Sequence, residues 1–160
     1  IEMKIVVFSD SHGKESRLER IVEAQTQVDC YIHLGDGYGD AEYLSLVYPS
    51  ITLLAVCGNC DRNCFDTDTK LITLAGKRIL YTRGHRYDVK QSMSSLMRAA
   101  REENADIVLF GHTHSPFYEI VDGIHFLNPG NVSAYDALRF ATVDILDDGN
   151  IVCNLASLKN

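Results

Sequence analysis

The sequence lacks any stretch near the roughly 18 consecutive apolar residues of a membrane helix, which excludes a helical span within it and leaves no membrane association to expect. It also lacks a basic segment followed by an apolar one at its N-terminus, which argues against export. Low-complexity tracts, internal repeats and Pro/Gly-rich linkers are absent, so residues 1–160 read as a single domain. Positive charge is scarce: 15 Lys and Arg against 22 Asp and Glu give a formal net charge of −7. Such a surface repels nucleic-acid phosphate, so no nucleic-acid binding is expected, and any phosphate binding needs a local positive centre. Five cysteines, an odd number, argue against a complete disulfide framework and fit a reducing compartment, the cytoplasm. Ile1 and Glu2 precede a methionine and read as a remnant before a natural start at Met3.

A hydrophobic content of 46% in 160 residues is enough for one substantial core. KIVVF at 4–8, CYIHL at 30–34, ITLLAV at 51–56 and DIVLF at 106–110 read as buried strands, since they are continuous apolar runs rather than alternating ones. Helices are expected over about 15–27, 39–47 and 89–104, the last with Met93, Leu96, Met97 and Ala100 on one buried face. Hairpins are expected around Ala75-Gly76, Asp122-Gly123 and Asp148-Gly149. Early β-α-β-α units followed by hairpins predict a mixed α/β fold of two packed sheets.

Polar residues gather where the strands end. SDSH brings Asp10 and His12, GDGYGD brings Asp36, GNCD brings Asn59, RGH brings His85, and GHTH brings His112 and His114. The carboxyl ends of parallel strands are where α/β sites assemble. Imidazole, carboxylate and amide donors without thiolate suit a borderline divalent metal. Seven candidate ligands are too many for one ion and fit two, with Asp36 as the natural bridge. Two ions roughly 3.5–4 Å apart can clamp an in-line displacement and acidify a water between them. Such a centre stays positive inside an acidic protein and would attract a phosphate ester. In extended backbone, residues two apart face one side, so His112 and His114 are expected to project together.

DSH, GD, GNCD, GH and GHTH, in this order, resemble the calcineurin-like metallophosphoesterases, and in particular the small YfcE-like phosphodiesterase group. The likeness runs from about residue 4 to 155. It implies a four-layer αββα sandwich. It also implies one metal on Asp10, His12, Asp36 and His114 and a second on Asp36, Asn59, His85 and His112, with a bridging hydroxide attacking phosphorus. Manganese is the first choice, with nickel, iron, zinc or magnesium as substitutes. The catalytic set would be Asn59, Cys60, Asp61 and His114, with Asp61 orienting a ligand or a neighbouring backbone group. Cys60 stands where many members carry a histidine that protonates the leaving oxygen, so diesters with good leaving groups are favoured over monoesters. NPGN at 128–131 resembles a structural N-P-G-S turn of the family.

Other residues have plainer readings. Arg62, Arg83 and Arg86 flank motifs; Arg62 and Arg86 are taken as substrate-binding candidates. His33 and His125 lie in apolar strands and read as satisfied interior residues, while Asp40 and Asp88 read as loop residues. Cys57-x-x-Cys60 with Cys64 could be a zinc or redox motif, yet no unused Cys/His pair completes a tetrahedral set. The rival to an enzyme is a non-catalytic protein-interaction scaffold of the same fold, as in Vps29-like subunits. It predicts eroded ligands, whereas every position here is filled. The partner expected is a small phosphoester, and the chain could form a homo-oligomer.

Overall fold

A computed structural model describes residues 2–160; Ile1, half of the N-terminal remnant read above, lies outside the described residues. Strand β1 (Met3–Phe8) runs parallel to β2 (Cys30–His33), and β2 runs parallel to β3 (Leu53–Ala55). The long hairpin of β9 (Ala137–Ile145) and β10 (Ile151–Lys159) adds antiparallel to the other side of β1. This gives a five-stranded sheet in the order β10-β9-β1-β2-β3. The second sheet contains β4 (Thr69–Leu74), β5 (Lys77–Thr82), β6 (Ile107–Phe110), β7 (Phe117–Val121) and β8 (Ile124–Asn128), in the order β4-β5-β6-β8-β7. Within it, β5, β6 and β8 are parallel.

The apolar runs of the central strands bury both of their faces. Ile5, Val7, Ile32, Leu34 and Val56 meet Ile79, Tyr81, Ile107, Leu109 and Leu127 between the sheets. The alternate residues Val6 and Phe8 turn outward under α1 (Glu15–Ala24) and α2 (Tyr38–Val47), against Leu18, Ile21 and Leu44. On the far side Leu80, Val108, Phe110 and Phe126 pack on Leu96 and Ala100 of α3 (Ser94–Glu102). The layers are therefore α, β, β, α, the arrangement the resemblance implies. At about 25 cal/mol per Å², each fully buried aliphatic side chain contributes roughly 1.5–3 kcal/mol, so this three-layered core carries the fold.

Two helices are shorter than their patterns predict. The first ends at Ala24 because Gln25 is already extended and Gln27 adopts a positive φ of 56°, turning the chain toward β2. The third begins only at Ser94. His85–Tyr87 form a 3-10 turn, Asp88 is left-handed, and Ser92 Oγ accepts the Ser94 N–H. These local side-chain and turn geometries compete with helix, whatever the apolar spacing.

Candidate metal centre

Asp10, His12, Asp36 and His114 come together from three strand ends, each offering one donor atom within 4.8 Å of all the others. His114 Nε2 lies 3.1 Å from Asp10 Oδ1, His12 Nε2 lies 3.5 Å from the same oxygen, and His12 Nε2 lies 4.0 Å from Asp36 Oδ2. The carboxylates are buried and the two imidazoles are exposed, so the donors form a cup open to solvent. Burial opposes ionisation of Asp10, but hydrogen bonds and charge from Arg83, with help from Ser9 and His114, overcome it and hold its carboxyl below the usual range.

The ligand turns are tight for a structural reason. Gly35 (φ +95°) and Gly58 face one another, and a Cβ on Gly58 would sit 2.1 Å from Asp36 N and from its Oδ1. Only glycine lets the β2 and β3 ends approach this closely. Five candidate ligands themselves adopt positive φ: Asp10 (64°), His12 (45°), Asp36 (56°), His112 (73°) and His114 (64°). His112 and His114 are therefore not in extended backbone. They reach the region from a turn and divide between its two halves, His114 toward Asp10 and His112 toward His85.

The other half is built differently. The His85 and His112 rings meet edge to face at 6.0 Å between centroids, and His85 Nδ1 is buried without a hydrogen-bond partner. His85 Nε2 lies 3.8 Å from Asp68. Burial, then the charges of Arg83, Lys90 and His85, push the His112 pKa down against the pull of Asp36. Arg83, 1% exposed and the largest fully buried side chain, is bonded to the carboxylates. It donates from Nη2 to Asp10 Oδ1 at 2.8 Å and to Asp36 Oδ2 at 2.6 Å. Nη1 donates to Ser9 Oγ at 3.1 Å and Nε to Asn59 Oδ1 at 3.0 Å. The sequence places Arg83 beside a motif within reach of a phosphate, and not among the donors. The signal available was its position, a cation directly after the buried strand end YT, where a charge needs partners.

Asp61 accepts N–H groups from Asp36, Gly37, Tyr38 and Gly58 at 2.7–3.2 Å, tying the β2 and β3 loops together. Cys60 is exposed, and its N–H donates to Asp36 Oδ1 at 2.8 Å. Partial burial and the Asp36 carboxylate push its thiol up, so the group stays protonated at neutral pH. The cysteine cluster forms a bridge between Cys57 and Cys64, not between Cys57 and Cys60. That bridge closes the loop carrying Asn59, Cys60, Asp61 and the exposed Arg62. Arg86 is exposed and pairs with Asp68. Both residues border an open cleft of about 520 Å³ that also meets Asn59, Asp61 and His85.

Asp40, expected on a loop, is buried. Gly35 N–H donates to His33 Nδ1, which leaves Nε2–H to donate to Ser11 Oγ at 3.0 Å, and Ser11 donates onward to Asp40 Oδ2 at 2.5 Å. Asp40 also accepts the Gly13 N–H. Complete burial pushes the His33 pKa down to about 4, with Asp10, Asp61 and Asp40 opposing, so a neutral imidazole braces the DSH turn. In the NPGN turn, Asn128 Nδ2 donates to Gly111 O and Thr113 Oγ1, fixing the loop that carries His112 and His114.

Residues 3–148 match the calcineurin-like phosphoesterase superfamily domain, and the chain belongs to that superfamily. The probable metallophosphoesterase YsnB of Bacillus subtilis is 35% identical over 132 residues, covering 81% of this chain and 75% of that protein. The phosphodiesterase YfcE of Escherichia coli is 28% identical over 169 residues, covering 91% and 88%. A solved structure of wild-type Vps29 complexed with zinc, from Entamoeba histolytica, superposes with a TM-score of 0.74. It shares 21% identity over 97% of this chain and 99% of that one, a likeness of fold.

Proposed function

We propose that this chain hydrolyses small phosphodiesters at a divalent-metal centre held by Asp10, His12, Asp36 and His114. The observation that carries the reading is the convergence of these four donors, from three strand ends, within 4.8 Å. Two carboxylates and two imidazoles fit one borderline divalent ion, manganese first, with nickel, iron, zinc or magnesium as substitutes. When bound, such an ion neutralises charge on a phosphoryl oxygen and acidifies water. The set implied for a second ion does not fit in the same way: the Asn59 amide oxygen accepts from Arg83, and among the described residues His85 and His112 join no ligand group.

The chain's own residues complete the reaction. Asp61 holds the Asp36 and Gly58 turns in place, which fixes where the donors point. His114, half-exposed at the mouth and in contact with Asp10, is placed to assist proton movement at Nε2. The protonated Cys60 thiol is a weak acid for the departing oxygen. Good leaving groups are therefore favoured, and diesters over monoesters. The Asp68-paired Arg86 lines the cleft, which has room for the rest of the substrate, and Arg62 is exposed on the neighbouring Cys57–Cys64 loop.

The rival reading is a non-catalytic scaffold, favoured by the fold likeness to Vps29. Chelated protein assayed with bis(p-nitrophenyl) phosphate and p-nitrophenyl phosphate, after adding Mn²⁺, Ni²⁺ or Mg²⁺, separates the two. Diester turnover that returns with metal and disappears in Asp10→Asn supports the enzyme. Tight metal binding without turnover under any ion supports the scaffold.

A further inference from the structure

Resting on the reading that Asp10, His12, Asp36 and His114 hold a divalent ion, we propose that Arg83 is the second cation of this site. Its guanidinium bonds Asp36 and Asn59, two of the four donors implied for a second metal, and the centre takes one divalent ion per chain. Four of the five guanidinium N–H groups are committed: two to Asp10 and Asp36, one to Ser9 and one to Asn59. Asp36 and Asn59 are half of the donor set that a second ion needs. Supplying positive charge beside the shared carboxylate, Asp36, is the task of a second metal in a dinuclear centre. Here a fork of fixed geometry and permanent charge performs it.

The remaining donors do not rescue a metal. Among the described residues, His85 and His112 join no group of three His, Cys, Asp or Glu side chains able to hold an ion. The unpartnered Nδ1 of His85 is the one feature that would welcome an ion, and a single nitrogen is not a site. An incoming metal would have to displace a buried guanidinium, which cannot leave by losing its proton. Leaving Arg83 in place, it would find the Asn59 oxygen already engaged. The electrostatic purpose survives the exchange: one divalent ion and Arg83 against Asp10 and Asp36 leave a net charge of about +1 for a phosphate diester. A guanidinium, however, neither acidifies water nor exchanges for another ion. The chain thus departs from the dinuclear pattern that its motifs resemble.

The test is a count of metal, independent of turnover. Chelated wild-type protein is titrated with Mn²⁺, freed of unbound ion, and its manganese per chain is measured together with its electron paramagnetic resonance spectrum. The expected result is one ion per chain with an uncoupled six-line signal, reduced to none in Asp10→Asn. In Arg83→His, which vacates the space and adds a nitrogen, two ions and an exchange-coupled spectrum are expected. Two coupled ions in the wild type overturn the proposal while leaving the metal-dependent enzyme intact. No ion in the wild type overturns both. A folded Arg83→His protein, verified by its circular dichroism, that still takes one ion shows that the guanidinium is not what excludes the second, and this too overturns the proposal.

Discussion

The two halves of the candidate centre are made from the same residue types at similar strand ends, yet they are different structures. In the half of Asp10, His12, Asp36 and His114, buried carboxylates face two exposed imidazoles, and the oxygens nearest those rings also accept from Arg83. In the half of Asn59, His85 and His112, the amide oxygen is engaged by the same guanidinium, a side chain that carries its own positive charge. Both halves solve one electrostatic problem, two aspartates buried side by side, since like charges in a low dielectric raise each other's energy. One solution leaves a place for an ion from solution and the other is supplied by the chain. Donor type at a strand end therefore does not by itself define a ligand. What lies between the donors decides.

The contrast can be broken most severely at Arg83. Arg83→Met removes the partner of two buried carboxylates, and metal-free protein is expected to lose about 3–5 kcal/mol of stability, read by urea unfolding in chelator. Added Mn²⁺ should return part of that loss. A change within about 0.5 kcal/mol, the range of an ordinary surface substitution, would mean that the two halves are not coupled through this residue. The next effect concerns the brace behind the first half. His33 titrates near 4 in the folded chain, below the roughly 6.5 of an unfolded histidine, so between these values the unfolded chain binds more protons. Stability should therefore fall as pH drops from about 6.5 to about 4, by at most about 3 kcal/mol from this group. Urea midpoints across that window should flatten in His33→Gln.

Smaller effects sharpen the comparison by activity. His12→Ala should lower diester kcat/KM by on the order of a hundredfold, about 2.7 kcal/mol, because it removes a donor from the open half. His85→Ala, in the filled half, should lower it less than tenfold. Equal losses would put the two halves on the same footing. The smallest change is at the rim: Cys60→His, which supplies a better neutral-pH acid, should raise monoester over diester turnover a few-fold. An unchanged ratio would show that Cys60 is not the limiting group.

Much of this arrangement was legible in the residues, for reasons that differ from element to element. KIVVF and DIVLF announced doubly buried strands because helices cover their outer faces, as Val6 with Leu18 and Val108 with Leu96 show. The Ala75-Gly76 and Asp122-Gly123 turns were legible because positive φ restricts residue choice, and all four residues adopt it. Arg83 was not legible as a site residue, because burial of a long cation depends on partners 47 and 73 positions away. Asp40, in the first turn of α2, was hidden likewise: its partner Ser11 lies in the loop after β1, 29 residues earlier. The resemblance already divided His112 from His114, but their backbone was missed, because extended geometry was assigned to residues that are left-handed.

That left-handed backbone has a consequence for how such a protein changes over many generations. Each aspartate or histidine held at positive φ sits in a conformation that glycine or asparagine adopts with less strain. Losing a donor at one of these turns is therefore downhill for the backbone, and a chain freed from selection for chemistry would drift toward a sturdier, silent relative. The drift has a measurable slope: His112→Asn should melt no lower than the parent in chelator, and a clearly lower melting temperature would remove the argument. Keeping five candidate ligands so poised carries a cost in backbone strain that the rest of the fold has to offset.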